Sequence, residues 1–169
     1  MIKPHGSDEL NPLFVYDTEK HEALSKEAET LPSLLLSSSA AGNAVMLGAG
    51  YYNPLTGFMN IADAISCADK MVTTDGVFFP VPVLNLTEKA EGFAVGDRIA
   101  LRDPNVDDNP VLAVQTVTAI ENVSDEQMAL MTDKVYRTND PEHPGVAAFN
   151  AQGQVAVSGP IEVLNFSYF

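Results

Sequence analysis

Apolar residues recur every three or four positions over much of the first half of the chain, and they alternate with polar residues over much of the second half. The first spacing is typical of helices packed on one face, and the second is typical of strands. After an extended arm over 1–17, the pattern predicts a helix from Thr18, its expected N-cap, to Thr30. The apolar positions of this helix form one narrow stripe, so we expect it on the surface of the domain: Leu24, Ala28 and Leu31.

Two further helices are predicted before the period changes. The first is short, rich in small residues, and runs over 38–47 from a cap at Ser38 or Ser39. The second occupies 61–72 behind the cap residue Asn60. Its apolar face is formed by Ile61, Ile65, Ala68, Met71 and Val72. The Ala and Gly content of the first of these helices predicts that it packs closely against its neighbours.

Strands are predicted at 34–36, 81–86, 96–102, 111–118, 155–157 and 161–166. Pro80 and Pro82 put the second of these at a sheet edge, because proline has no N–H to donate. A capping box at 124–127 begins another helix, with Met128, Met131 and Val135 on one face. Helices mainly in the first half and strands mainly in the second indicate an α+β fold in a single domain over 1–169, not a doubly wound sheet.

The segment 48–60 has the most specific shape in the sequence. Three glycines, with the Asn53-Pro54 pair between them, restrict the backbone to one path. The same stretch carries apolar and aromatic side chains but no obvious nucleophile, general base or metal ligand. We interpret it as a rigid packing or docking element.

Charge narrows the classes of function. The chain has 23 acidic and 9 basic residues, a formal net charge of −14 at pH 7. Binding to a phosphate backbone depends on lysine and arginine, so this balance argues against nucleic acid, and it also disfavours anionic membranes. With no signal-peptide pattern at the start and no apolar run near the roughly 18 residues that span a bilayer, the predicted location is the cytoplasm. Cys67 is the only cysteine, which excludes an internal disulfide, and we expect it to be a small buried hydrophobe.

The residues alone predict no catalytic, cofactor-binding or metal site. Among three histidines, His143 in the turn at 142–145 is the best candidate for a functional imidazole; the alternative is a turn histidine that hydrogen-bonds the backbone. The acidic loop at 103–110 superficially resembles a calcium loop. It lacks the glycine and the glutamate of an EF-hand, which favours an Asx-rich hairpin turn. Gly48 and Gly50 do not have the spacing of a phosphate-binding loop.

Several separated motifs resemble one enzyme family. In chain order they are Ile2-Lys-Pro-His-Gly6, Leu31-Pro32, Gly48, Asn53-Pro-Leu-Thr-Gly-Phe-Met59, Asp75-Gly76, Pro80-Val-Pro82, Val135-Tyr-Arg-Thr138, Asp140, His143-Pro-Gly-Val146 and Ser158-Gly-Pro160. Together, and over essentially the whole chain, they are similar to the N-terminal domain of ATP sulfurylase (sulfate adenylyltransferase). The resemblance implies a PUA-like β pseudo-barrel with peripheral helices.

The resemblance also implies a parent reaction. A sulfate oxygen attacks the α-phosphorus of Mg-bound ATP and gives adenosine 5′-phosphosulfate and diphosphate, a reaction that also runs in reverse. The family's Gln-x-Arg-Asn-Pro and His-x-Gly-His motifs, which position and neutralise these anions, belong to a following catalytic domain and do not occur in this sequence. The chain is therefore expected to be inactive alone, to hold no cofactor, and to pack against the catalytic domain of a homo-oligomeric enzyme.

The sequence departs from the common family pattern at a few positions. Ser38-Ser39 stand where many relatives have Ser-Arg, so no contact through that arginine is expected. Asn53, Phe79 and Ser158 replace a frequent serine, tryptophan and glycine. These departures resemble the branch found in sulfur-metabolising bacteria, a resemblance that implies an enzyme able to run in reverse and make ATP from the phosphosulfate.

Two segments, 48–60 and 142–146, are predicted to face the catalytic domain. The predicted interface residues are Asn53, Pro54, Leu55, Gly57, Phe58, Met59, His143, Pro144 and Gly145. The apolar and aromatic end at 163–169 favours continuation into a second domain over a terminal strand in the barrel. The alternative function is a stand-alone PUA-like binding or regulatory module, and the acidity disfavours RNA as its ligand.

Overall fold

The computed structural model describes residues 2–166, which contain five helices and seven strands. The helices are α1 (Thr18–Ala28), α2 (Ser38–Gly48), α3 (Ile61–Lys70), α4 (Asp125–Tyr136) and α5 (Pro144–Asn150). The strands are β1 (Ser33–Leu35), β2 (Gly57–Phe58), β3 (Leu86–Thr87), β4 (Arg98–Arg102), β5 (Val111–Thr116), β6 (Ala119–Asn122) and β7 (Val155–Val163).

The last strand, β7, is the centre of the sheet. Its second half pairs antiparallel with β5 and β2, and its first half pairs antiparallel with β6 and β3. β4 pairs antiparallel with β5, and β1 adds parallel to β4 at the edge. Because the two halves of β7 pair with different sets of strands, the mixed sheet curls into a half-barrel with the helices around it. The predicted α+β class is confirmed.

β7 runs through Gly159 and Pro160 without a break, so the prediction of separate strands at 155–157 and 161–166 is wrong. Gly159 has a φ of 138°, and a Cβ at this position would lie 2.0 Å from the carbonyl oxygen of Thr116. β7 bends at Gly159, yet the residues before and after the bend stay paired with their neighbouring strands. The stability gained from this pairing outweighs the preference of Gly159 and Pro160 for a turn. β7 ends at Val163, and positions 167–169 of the apolar end lie outside the described residues.

Two N-caps lie one or two residues earlier than the sequence suggested. Asp17, not Thr18, caps α1 by accepting a hydrogen bond from the backbone N–H of Lys20 at 2.8 Å. Ser37, not Ser38 or Ser39, caps α2 and accepts from the backbone N–H of Ala40 at 3.1 Å. In both cases the cap has the extended backbone that lets its oxygen reach three residues ahead. For α1, Asp17 is the stronger cap type than Thr18. For α2, the three adjacent serines at 37–39 are equivalent as cap residues, and the sequence alone does not choose between them.

Other helix predictions are confirmed. Asn60 caps α3 by accepting from the backbone N–H of Asp63 at 2.8 Å, and the capping box at 124–127 begins α4. α3 ends at Lys70, before the predicted 72, because Met71 takes a left-handed conformation at its C-cap. Leu24 and Ala28 of α1 are buried, as the narrow stripe predicted.

The predicted strand at 81–86 is reduced to the two residues of β3. Residues 83–86 are all buried instead of alternating, and the apolar ones among them belong to the larger hydrophobic cluster of the core. The predicted strand at 111–118 corresponds to β5, which ends at Thr116, and the following strand β6 at 119–122 is not predicted. α5 was missed as well, since His143-Pro144-Gly145 was interpreted as a turn.

The core has two parts. The larger lies between the sheet and α2, α3 and α4, and its largest fully buried members include Leu47, Leu86, Ile99, Leu101, Leu112 and Met131. The smaller lies under α1 and consists of Val15, Leu24, Ala28, Ala100, Val114 and Leu164. Ion pairs tie α1 to the sheet above this smaller cluster, with Arg98 2.5 Å from Glu27 and 3.1 Å from Glu162.

Cys67 is fully buried on α3, as predicted. Burial first, and then the carboxylates of Asp63 and Asp75, raise the pKa of its thiol from 9.0 to about 11. The folded protein therefore holds this proton between pH 9 and pH 11, where an unfolded chain loses it. The stability that the neutral thiol contributes is complete below pH 9 and is lost as the pH rises through the folded pKa.

We expect the thiol to lower the free energy of unfolding by roughly 1.4 kcal/mol per pH unit across this window. Urea unfolding of the protein and of Cys67→Ala at pH 8, 9, 10 and 11 measures the effect, because the variant lacks the thiol but keeps every tyrosine and lysine. Identical pH slopes for the two proteins would contradict it.

Candidate interaction surface

Asn53 fastens the N-terminal arm to the segment 48–60. Its side chain is 5% exposed, and its Oδ1 accepts a hydrogen bond from the backbone N–H of Asn11 at 3.0 Å. Its Nδ2 donates to the carbonyl oxygen of His5 at 2.7 Å and to Oγ of Ser7 at 2.6 Å. The amide of this predicted interface residue is thus occupied inside the chain.

The middle of the same segment is also turned inward. Gly57 pairs with Pro160, and a Cβ at Gly57 would lie 2.0 Å from the carbonyl oxygen of Gly159. The side chains of Phe58 and Met59 belong to the larger core cluster. Of the predicted interface residues in this segment, Pro54 and Leu55 keep partly exposed side chains. A contact between this segment and a catalytic domain stays a prediction.

His143 is the N-cap of α5. Its Nδ1 accepts from the backbone N–H groups of Gly145 at 3.2 Å and Val146 at 3.4 Å, and Pro144 occupies the first turn. This backbone bonding matches the structural alternative weighed for His143, with a helix in place of the expected turn. Tyr136 packs against the N-terminus of α5. The centre of its ring lies 5.4 Å from that of the His143 ring, and the Tyr136 ring fills the space beside Gly145.

A groove of about 320 Å³ lies beside Tyr52 of the first predicted segment. Tyr136 of α4 and Phe149 of α5 are the other aromatic residues that line it. The full lining is Ser39, Asn43, Tyr52, Val81, Pro82, Leu84, Met131, Val135, Tyr136, Phe149 and Gln152. The structure therefore brings the neighbours of the predicted residues together at one place. The predicted residues at 53–59 and 143–145 do not line this groove, and those at 55–59 line a separate shallow depression with 158–160.

The polar atoms of the groove bond to one another and to nearby backbone. The hydroxyl of Tyr52 donates to Oδ1 of Asn43 at 3.5 Å, and Nδ2 of Asn43 donates to the carbonyl oxygen of Leu84 at 3.3 Å. On the far side, Oε1 of Gln152 accepts from Oγ of Ser37 at 2.9 Å. Burial raises the pKa of Tyr52. This lining provides apolar contact and amide hydrogen bonds but no acid, base or nucleophile suited to neutral pH, so it favours binding over catalysis.

Absence of charge distinguishes three of the four segments that build the groove, and α4 is the exception. Residues 30–62 and 76–87 contain no Asp, Glu, Lys or Arg, and neither do residues 143–161. α4 does carry charges, and its Lys134 lies 2.8 Å from Asp69. In a chain of net charge −14, each of these three segments runs for 12 or more consecutive positions without a charged residue. Sequence reasoning missed the groove, although the charge-free segments were a detectable signal for it.

The acidic loop at 103–110 is the predicted Asx-rich hairpin turn between β4 and β5. Oδ1 of Asp103 accepts from the backbone N–H of Asn105 at 2.8 Å, and Nδ2 of Asn109 donates to the carbonyl oxygen of Asp103 at 2.8 Å. Over residues 2–166, no three His, Cys, Asp or Glu side chains come together as a metal site. Within the same range, no helix has both the length and the hydrophobicity to cross a bilayer. The cytoplasmic location stays a prediction.

Comparison with known proteins gives concordant matches. A family model described as a PUA-like domain matches residues 2–166, which confirms the PUA-like fold. The chain is 69% identical over 169 residues to a sulfate adenylyltransferase of Allochromatium vinosum, covering 100% of this chain and 43% of that protein. It is 62% identical over 169 residues to a sulfate adenylyltransferase of the Riftia pachyptila sulfur-oxidizing endosymbiont, covering 100% of this chain and 38% of that protein. These matches confirm the resemblance seen in the motifs.

A solved structure adds a further match. It is described as a hexameric APS kinase from Thiobacillus denitrificans, with a TM-score of 0.67 and 28% identity. The match covers 97% of this chain and 27% of that one. The chain thus spans about two fifths of the sulfate adenylyltransferases that it matches and a smaller share of this neighbour.

Proposed function

The chain belongs to the family of PUA-like domains, and from this premise we propose that it is the non-catalytic N-terminal domain of a sulfate adenylyltransferase. In this role residues 1–169 form one domain that packs against the catalytic part of the same enzyme. The observation that carries the proposal is the high identity along the whole chain to sulfate adenylyltransferases that are more than twice as long. The parent reaction joins sulfate to the adenylyl group of Mg-ATP, or runs in reverse.

The electrostatics support a non-catalytic role. Transfer at the α-phosphorus of ATP brings two anions together, and such reactions depend on cationic groups that neutralise them. Five of the basic residues already pair with carboxylates of this chain: Lys3, Lys20, Arg98, Arg102 and Lys134. With a net charge of −14, the domain repels both substrates. Binding of Mg-ATP and sulfate is therefore assigned to the catalytic part, and the role of this domain is to pack against that part.

An oligomeric parent enzyme is part of the same proposal. The solved neighbour is described as a hexamer, and its match covers 97% of the present chain. The stand-alone regulatory module remains the alternative. The reading frame beyond Phe169 separates the two, because a domain of an enzyme requires a continuing polypeptide that carries the catalytic motifs.

We expect the 169-residue chain to show no adenylyltransfer, because it lacks the groups that neutralise the reacting anions. The measurement follows formation of adenosine 5′-phosphosulfate from Mg-ATP and sulfate, and of ATP from adenosine 5′-phosphosulfate and diphosphate. The polypeptide encoded by the full reading frame is the positive control and should turn over in both assays. Turnover by the short chain above the buffer rate would refute the non-catalytic role.

A further inference from the structure

We infer that an uncharged, apolar segment of the catalytic part of the same polypeptide permanently covers the groove bounded by Tyr52, Val81 and Tyr136. This inference rests on the proposed function, and it names the surface through which the domain meets its partner. It differs from the interface expected from sequence, which was centred on the residues at 53–59 and 143–145.

The groove exposes large apolar side chains side by side. Val81 is 39% exposed and Tyr136 is 36% exposed, while Phe149 is half-buried at the same opening. Each wall is held by packed structure, since Tyr136 also fits against Gly145 and Tyr52 meets the edge of the Phe79 ring at 5.6 Å. A preformed apolar concavity on a folded domain is a typical binding surface.

The charge pattern identifies the chemistry of the occupant. The negative surface of the domain attracts a basic segment in general, but none of the residues that line the groove, including those of α4, is an Asp or Glu that could pair with one. An acidic or phosphorylated segment is repelled by the net charge of −14. An uncharged apolar segment needs no carboxylate partner and is not repelled by the net charge. The hydroxyl and amide groups of Ser39, Asn43 and Gln152 in the lining can form hydrogen bonds with its backbone.

The same pattern points to a permanent partner. Interfaces that stay closed are apolar and depleted in charge at their centres, whereas the faces of a domain that remain in water keep their charged residues. Eight of the eleven residues that line the groove lie in charge-free segments, and the other three are the uncharged Met131, Val135 and Tyr136 of α4. Such a surface is expected to be covered for the lifetime of the protein. The catalytic part of the same chain is such a partner, and the relatives that this chain matches are long enough to contain it.

Selective labelling of an introduced cysteine tests the inference. Cys67 is fully buried and its pKa is raised to about 11, so Val81→Cys adds the one accessible thiol among the described residues. Val95→Cys is the matched control, because Val95 is 60% exposed and lies away from the groove. Both variants are made in the full reading-frame polypeptide and in the 169-residue chain, and maleimide labelling of each site is timed by peptide mass spectrometry. Absence of label on Cys67 reports that each variant is folded.

In the full polypeptide we expect the thiol of Val81→Cys to react at least about tenfold more slowly than that of Val95→Cys, far beyond the difference in exposure of the two positions. In the short chain the two rates should agree to within about threefold, as expected for two open sites. Equal rates for the two variants in the full polypeptide would overturn the inference. Adenylyltransfer by the same polypeptide is assayed separately, so that an active enzyme with an open groove refutes the surface alone, and an inactive one refutes the proposed function.

Discussion

Gly159→Ala is expected to lower the free energy of unfolding by about 3–5 kcal/mol, the largest effect that we predict for a single substitution. Gly159 has a φ of 138°, which side chains rarely adopt, and a Cβ there would lie 2.0 Å from the carbonyl oxygen of Thr116. Both the clash and the strain act on β7, which pairs with four other strands. The backbone cannot move away without breaking the pairing of β7 with its neighbours.

Urea unfolding followed by circular dichroism measures this effect. Gly42→Ala is the matched control, because Gly42 lies in α2 and a Cβ there would meet no heavy atom within 4 Å. Alanine favours the helix over glycine, so the control should raise the free energy of unfolding by about 0.5–1 kcal/mol. A loss below about 1 kcal/mol in Gly159→Ala would show that the strand accommodates a side chain, against our interpretation of the bend.

Asn53→Ala is expected to cost about 2–3 kcal/mol and to release the N-terminal arm. The substitution removes the side-chain partners of Asn11, His5 and Ser7 at one buried position. Each hydrogen bond is worth roughly 0.5–1.5 kcal/mol, and partners left unsatisfied in partly buried places add to the loss. Because the arm then loses its attachment, the backbone amide of Asn11 should exchange with solvent faster than in the parent protein.

Hydrogen exchange and urea unfolding of the same variant test both parts of this prediction. Asn43→Ala is the control, since Asn43 makes longer side-chain bonds of 3.3 and 3.5 Å and does not touch the arm. It should cost less than about 1 kcal/mol and leave exchange at Asn11 unchanged. Equal losses in the two variants would mean that Asn53 is an ordinary loop residue.

Local signals were sufficient where local chemistry decides the structure. The capping box at 124–127 and the cap residue Asn60 could be identified from the sequence, because each satisfies free helix N–H groups within one turn. β7 could not be identified in this way. Gly159-Pro160 is a turn signal, and only the pairing with strands far away in the sequence keeps the strand continuous through it.

The same distinction between local and long-range signals applies to the candidate site. The segment 48–60 was identified as conformationally specific, yet a local pattern does not tell whether such a segment serves the interior or a partner. Asn53 and Gly57 turn out to serve the interior. The groove beside them combines Tyr52, Val81 and Tyr136 from three separate parts of the chain, so no single motif marks it. α5 escaped prediction because a proline in the first turn of a short helix resembles a turn.

The position of β7 at the end of the domain has a consequence during protein synthesis. Its partners, from β2 onward, leave the ribosome first and wait with unpaired edges until residues 155–163 appear. Closure of the half-barrel is therefore a late event, completed only when nearly all of this domain has been translated. A nascent chain stalled shortly before Val155 is expected to be sensitive to protease and to recruit chaperones, whereas one stalled well beyond Val163 should be resistant.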